Sequence, residues 1–183
     1  HDIEAMARRF GASFEQVAHR LTTLQRPGAE GIPFFFIRVD AAGNVSKRFS
    51  GDVFPFARYG GSCPLWNVHD VFRSPRQILT QIVQLPDGKK FFSIARTVHG
   101  EAGGYGTANI DRAVALGCNL ERAGELIYAL GIDLEAAPAV PIGVTCRLCE
   151  RQDCAARAHP PLKRRLVFDE YRRLATPFSF AFD

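Results

Sequence analysis

The chain has 183 residues, of which 46 % are hydrophobic, 23 % charged and 11 % aromatic. These proportions support one domain with a buried core, or one domain with a small appendage, and they exclude a disordered chain. No apolar run reaches the roughly 18 residues that would suggest a membrane span, and the net charge of +4 is only mildly basic.

The chain opens on His1, with no initiator Met and no secretory pattern, and reads as a fragment of a longer cytoplasmic protein. Residues 1–26 carry two short helical patterns. Ile3, Met6, Ala7 and Phe10 form one apolar stripe. Phe14, Val17, Ala18, Leu21 and Leu24 form another behind Ser13, a good N-cap, with Gly11 at the join. The spacing resembles a helix-turn-helix but lacks its third helix, so a helical hairpin packed on the domain is expected. Arg26-Pro27-Gly28 is a break.

Residues 34–39 and 45–49 flank a turn at 40–44 and predict a hairpin. Residues 53–59 read as a third strand, with Pro55 suited to an edge. Asn67 and Ser74-Pro75 are helix-start signals, and Pro75 at the first position would put Arg76 in the first turn. Residues 81–85 and 89–98 flank Pro86-Asp87-Gly88, a hairpin turn. A Gly-rich loop follows at 100–106, then a predicted strand at 110–118 and a helix at 120–130. Residues 138–141 lead into a cysteine-rich tail. Strands joined by hairpins predict an α+β fold. Its sheet would be mostly antiparallel and flanked by helices, in the style of GAF and PAS sensor domains.

The charge excess is local. Residues 146–173 carry eight Lys and Arg against four Asp and Glu, and the rest of the chain carries 15 of each. Five cysteines are an odd number, and Cys146, Cys149 and Cys154 fall within nine residues. In a cytosolic chain such crowding favours a metal over disulfides. Thiolates at this spacing reach one centre, either zinc or an iron–sulfur cluster. Three residues are candidates for the fourth ligand. Cys63 sits before Pro64 in a Gly-rich loop. Cys118 ends an apolar strand, where a buried small hydrophobe is the ordinary role. His159 would complete a zinc site of three thiolates and one imidazole. Arg147, Arg151 and Arg157 suit the anionic character of a four-thiolate centre.

A ligand pocket is a second candidate. Phe34, Phe35, Phe36, Phe54 and Phe56 crowd the first sheet, with Arg38, Lys47, Arg48 and Arg58 near its ends. By strand parity Phe34, Phe36 and Arg38 share one face. An apolar cavity with a basic rim would suit an acyl group on a phosphorylated handle. The competing reading is an ordinary aromatic core with a solvated edge. No phosphate-binding loop, dinucleotide fingerprint, zinc-protease motif or nucleophile elbow occurs. His69 and Glu101 have no partners in sequence that mark them as catalytic, and no enzyme is expected.

Several stretches together resemble one family. They are residues 60–72 (GGSCPLWNVHDVF), 85–88 (LPDG), 115–118 (ALGC), 176–180 (TPFSF) and above all 141–161 (PIGVTCRLCERQDCAARAHPP). They look like the C-terminal domain of the short-chain fatty acyl transcriptional regulators, in particular regulators of propionate use through the methylcitrate and glyoxylate cycles. The resemblance implies that residues 1–30 are the end of an ImmA/IrrE-like region. It makes 31–140 an acyl-CoA-sensing domain and 141–183 an iron–sulfur segment with a tail. It implies a [4Fe-4S] cluster on Cys63, Cys146, Cys149 and Cys154. The effector would be a short-chain acyl-CoA such as propionyl-CoA, in a pocket between the aromatic sheet and the Arg76 helix. Phe36, Arg38, Arg48, Arg58 and Arg76 are its expected contacts. Promoter DNA would be read by a helix-turn-helix outside this chain, with no membrane partner and homo-oligomer formation left open. The rivals are a zinc-stapled binding module and a CoA-thioester enzyme.

Overall fold

The computed structural model describes residues 1–51, 53–100, 104–106, 110–167, 171 and 179–181. Glu101 and residues 176–178 of the TPFSF ending lie outside the described residues.

Helix α1 spans Ile3–Phe10 and α2 spans Phe14–Leu21. Asp2 caps α1 by accepting from the Ala5 N–H at 3.0 Å, and Gly11 ends it with φ +59°. Ser13 and Gln16 close a reciprocal capping box at the start of α2. The two helices bury Ile3, Phe14, Val17 and Ala18 against a sheet. Two half-buried ion pairs tether them to it, Arg96–Glu4 at 2.7 Å and Arg38–Glu15 at 2.6 Å. A short hairpin of β1 (Gln25–Arg26) and β2 (Ala29–Glu30) turns through Gly28.

The main sheet contains β3 (Phe35–Asp40), β4 (Val45–Phe49), β5 (Leu79–Gln84), β6 (Lys90–Val98), β7 (Arg112–Asn119) and β8 (Val140–Pro141). Its order is β4-β3-β7-β6-β5-β8, antiparallel throughout except that β8 runs parallel to β5. The class is α+β, as the hairpin joins predict. Alternation divides the core into two layers. Phe34, Phe36, Phe92, Ile94, Val114, Leu116 and Cys118 face the two helices. Phe35, Ile37, Val39, Phe91, Ala95, Ala113 and Ala115 face Phe54, Trp66, Val68 and Ile142. Gly117 is needed where it stands, because a Cβ there would lie 2.2 Å from the Phe35 ring.

Three sequence expectations fail here. Residues 53–59 form turns rather than a strand. Pro55 removes a ladder donor, and the Phe54 ring turns inward to stack on Trp66 with centroids 5.3 Å apart. Residues 120–130 form two short 3-10 turns, Leu120–Glu125 and Ile127–Ala129, not an α-helix. Gly124 weakens an α-helix there, and extended Leu126 separates the turns. No helix starts at Pro75. The helical stretch comes earlier, as α3 (Asn67–Asp70) and a 3-10 turn at Val71–Arg73. Arg76 then adopts φ +66° with its N–H donated to Thr97 Oγ1 at 2.8 Å, so its side chain is not at a helix N-terminus. Among the described residues no helix is long and apolar enough to cross a membrane.

Candidate metal centre

The segment just before α3 is pinned firmly to the sheet. Trp66 Nε1 donates to Ser93 Oγ at 2.8 Å, and Ser93 Oγ donates to Asn67 Oδ1 at 3.0 Å. Asn67 also donates to the Leu79 carbonyl at 2.9 Å, and Gln81 donates to the Leu65 carbonyl at 3.0 Å. The Trp66–Ser93–Asn67 bonds are buried, where losing a partner is costly, and the other two are partly buried. The network fixes Cys63, three residues ahead of Trp66, at the edge of the layer it shares with Ile142.

The cysteine-rich segment approaches the same place from the far end of the chain. Pairing of β8 with β5 and the Ile142 N–H on the Gln84 carbonyl at 3.0 Å bring it alongside. Arg151 covers this sheet edge with two bonds, to the Ile142 carbonyl at 3.3 Å and the Gln84 carbonyl at 3.0 Å. A 3-10 turn over Cys146–Leu148 then doubles the chain back, and Asp153, with φ +52°, makes the turn into Cys154.

Gly143 is the meeting point. A Cβ on it would lie 2.7 Å from Cys149 Sγ, so only glycine leaves that thiol its place. Burial pushes the Cys63 thiol up; N–H groups of Gly143 and Leu65 draw it down, and the charges of Cys146 and Cys154 raise it further. Cys63, Cys146 and Cys149 are buried, and Cys154 is half-exposed. Cys146 Sγ accepts from the Ala158 N–H at 3.4 Å. Among the described residues no three His, Cys, Asp or Glu side chains are gathered tightly enough to share one ion. Cys63 and Cys149 both adjoin Gly143, and Cys146 and Cys154 lie near enough to Cys63 for their charges to act on it.

Arg157 supplies a second test of fit. It is only 3 % exposed. Its Nη1 donates to the carbonyls of Cys146 at 3.2 Å and Cys149 at 3.0 Å, and its Nη2 to the Arg151 carbonyl. The guanidinium also lies over the Phe180 ring, 5.0 Å from its centroid. Among the described residues it has no carboxylate partner. A buried cation without an anion is costly, and an anionic metal–thiolate centre beside it would supply the missing charge. The donor set and this cation together fit an iron–sulfur group.

Cys118 lies on the opposite face of the sheet, fully buried among Phe36, Phe92 and Leu116. Burial pushes its thiol up to about 12. His159 is exposed and lines two surface cavities. His69 donates or accepts with Ser62 Oγ at 2.8 Å, and burial lowers its pKa against an opposing pull from Asp70.

The five expected acyl-CoA contacts are not brought together. Phe36 is core, and Arg38 is spent on Glu15 and Ser46 on the helix-covered face. Arg48 pairs opposite Ile37 and so lies on the other face, donating to the Arg58 carbonyl. Arg76 stands apart at the Thr97 end of β6, with Nε on His99 at 3.2 Å. Arg58 alone of the five lines one of the cavities around the cysteine segment. Sequence reasoning missed that cavity, because its other wall, Arg147 and Leu148, is distant in the chain. It also passed over Gly143, whose signal was its place three residues before Cys146.

The fold and site together define an α+β sheet domain with a cysteine-bearing loop at one edge. The comparisons specify its family. The family described as "Short-chain fatty acyl coenzyme A regulator, C-terminal" matches residues 23–178, and the chain belongs to that family. It is 52 % identical over 180 residues to the propionyl-CoA carboxylase regulator of Cereibacter sphaeroides, covering 98 % of this chain and 39 % of the relative. It is 48 % identical over 181 residues to the HTH-type transcriptional regulator RamB of Mycobacterium tuberculosis, covering 97 % of this chain and 38 % of the relative. It is likewise 48 % identical over 180 residues to PrpR of the same organism, covering 98 % and 37 %. A solved Mycobacterium tuberculosis transcriptional regulator superposes with a TM-score of 0.89 at 49 % identity, covering 97 % of this chain and 55 % of the other. The chain thus spans about two fifths of the length of these curated relatives, which are named as regulators rather than enzymes.

Proposed function

We propose that this domain senses short-chain acyl-CoA on behalf of a cytoplasmic transcription factor. Its cofactor would be a [4Fe-4S] cluster held by Cys63, Cys146, Cys149 and Cys154. The observation that carries the cofactor is the meeting of Cys63 and Cys149 at Gly143, beside the buried, carboxylate-free Arg157. The ligand class is drawn from the family's name and from the propionyl-CoA carboxylase regulator. Promoter DNA would be bound by a helix-turn-helix outside this chain, as the names of the relatives suggest.

When bound, the cluster supplies a one-electron couple and a rigid cross-link. The chain's own residues do the rest. Cys63 ties the α3 layer to the tail, Arg157 balances charge, and Arg151 holds the tail to the sheet edge. A signal then works only through a ligand or redox state that favours one of two conformations.

Purification without oxygen tests the cofactor. A brown protein with broad visible absorption and four irons per chain by mass spectrometry is expected. A colourless chain carrying one zinc would replace the cluster with a structural staple. Calorimetry with propionyl-CoA tests the ligand. Binding without release of free CoA is expected, and steady release would make the domain an enzyme.

A further inference from the structure

The main sheet ends differently on its two sides. On the cysteine side β8 is only two residues long, and Arg151 donates to the carbonyls of Gln84 and Ile142 beside it. On the far side β4 stands outermost, five residues long, with β3 as its inner neighbour. Among the described residues nothing bonds to the outward-facing N–H and C=O groups of residues 45–49. Such a row of unpaired groups is a template for another strand. Ser46, Arg48 and Phe49 on this edge are exposed, Phe49 at 39 %.

Charge decides which strand can use the template. Lys47 pairs opposite Arg38 and Arg48 opposite Ile37, so the two cations project from opposite faces of the edge. Arg48 donates to the Arg58 carbonyl, and the Lys47 ammonium stands 6.0 Å from the Phe36 ring centroid. Among the described residues neither cation has a carboxylate partner. On neighbouring elements Glu15 is taken up by Arg38, and Asp40 by Asn44. A second copy of β4 is a poor occupant. Antiparallel pairing about the strand centre sets Lys47 against Lys47, or Lys47 against Arg48, and like charges directly opposite each other are destabilising.

We propose that the outer edge of β4 docks an extended acidic segment of a partner protein, which adds a seventh strand to the six-stranded sheet. Backbone pairing supplies the attachment, and carboxylates beside Lys47 and Arg48 supply the choice of partner. Because the two cations lie on opposite faces, the segment that fits has two consecutive acidic residues. An apolar residue next to them lies against the exposed Phe49. β4 and the cysteine segment stand at opposite edges of the sheet, so docking draws on neither the metal centre nor an acyl-CoA.

Fluorescence anisotropy and amide hydrogen exchange on the anaerobically purified chain test the surface with two labelled peptides. One is Thr-Val-Glu-Glu-Thr-Val-Thr, and the other has Lys in place of both Glu. The acidic peptide binds about tenfold more tightly or better, and it slows exchange in residues 45–49. In the double variant Lys47→Glu/Arg48→Glu the order of the two peptides reverses, with circular dichroism unchanged. Equal binding of the two peptides by the wild-type chain, or binding of neither, overturns the proposal without recourse to a variant. Binding of the acidic peptide that protects other segments and leaves residues 45–49 unchanged also overturns it. Protection of residues 45–49 that grows with chain concentration in the absence of peptide assigns the edge to a second copy, and overturns the acidic partner.

Discussion

Arg157 donates through Nη1 to the carbonyl oxygen of Cys149 at 3.0 Å, with its guanidinium almost wholly buried. The same group serves the carbonyls of Cys146 and Arg151, so one side chain closes the cysteine loop on itself. Arg157→Leu leaves these acceptors unpaired and is expected to cost about 3 kcal/mol, read from urea denaturation of the anaerobic chain. Arg157→Lys keeps the charge, loses the fork, and recovers part of that loss. If the charge also balances the cluster, the Leu variant lowers the cluster's reduction potential and the Lys variant restores it. A Leu variant with wild-type stability would remove Arg157 from this account.

Gly143 sets a steric condition on the centre. A Cβ at 2.7 Å from Cys149 Sγ cannot be accommodated without moving that thiol. Gly143→Ala is expected to reduce iron bound per chain several-fold while far-UV circular dichroism is preserved. Iron content equal to the wild type shows that Cys149 is not a ligand in the observed geometry.

Cys118 is expected to be inert. Its thiol is held in the neutral form by burial, with a pKa of about 12, and thiolate is the reactive species. Iodoacetamide at neutral pH leaves it unlabelled in the native chain and labels it after urea, read by peptide mass spectrometry. Cys118→Ala leaves iron content unchanged. Native labelling would mean that the helix-covered core opens readily.

His69 makes stability pH-dependent. Burial lowers its folded pKa below the ordinary 6.5, with Asp70 only partly opposing. Above that value both folded and unfolded states hold it neutral, so it contributes no pH slope. As pH falls through 6.5 and on through the lowered folded value, the unfolded state takes the proton first and stability is lost. His69→Gln flattens this part of the acid limb in urea midpoints taken from pH 7.5 to 5. An unchanged slope in the variant assigns the loss to other groups.

Local chemistry was readable wherever it is set by neighbours in sequence. Ser13 announces the start of the second helix and Gly11 the join before it, and the hairpins around residues 40–44 and 86–88 follow from their turn residues. Alternation placed Phe34, Phe36 and Arg38 on one face. The cysteine spacing nominated Cys146, Cys149 and Cys154 for a common role, and the excess of Arg marked the same segment.

What alternation could not say was what would cover each face. Arg38 reads as a rim cation until α2 supplies Glu15 across the sheet. Arg76 reads as a helix N-terminal residue until the tertiary bond to Thr97 holds it at positive φ. Local sequence sets Cys63, in its Gly-rich loop, apart from Cys118 at the end of an apolar strand, but not where either one lies. Sheet order puts them on opposite faces, one beside Gly143 and the other among phenylalanines. By itself the sequence determined the two N-terminal helices, the hairpins, the alternation and the cluster of thiols in the tail. Only the tertiary structure decided which distant side chains meet them. Burial and charge compensation act between surfaces brought together by the sheet, and no local pattern records that pairing.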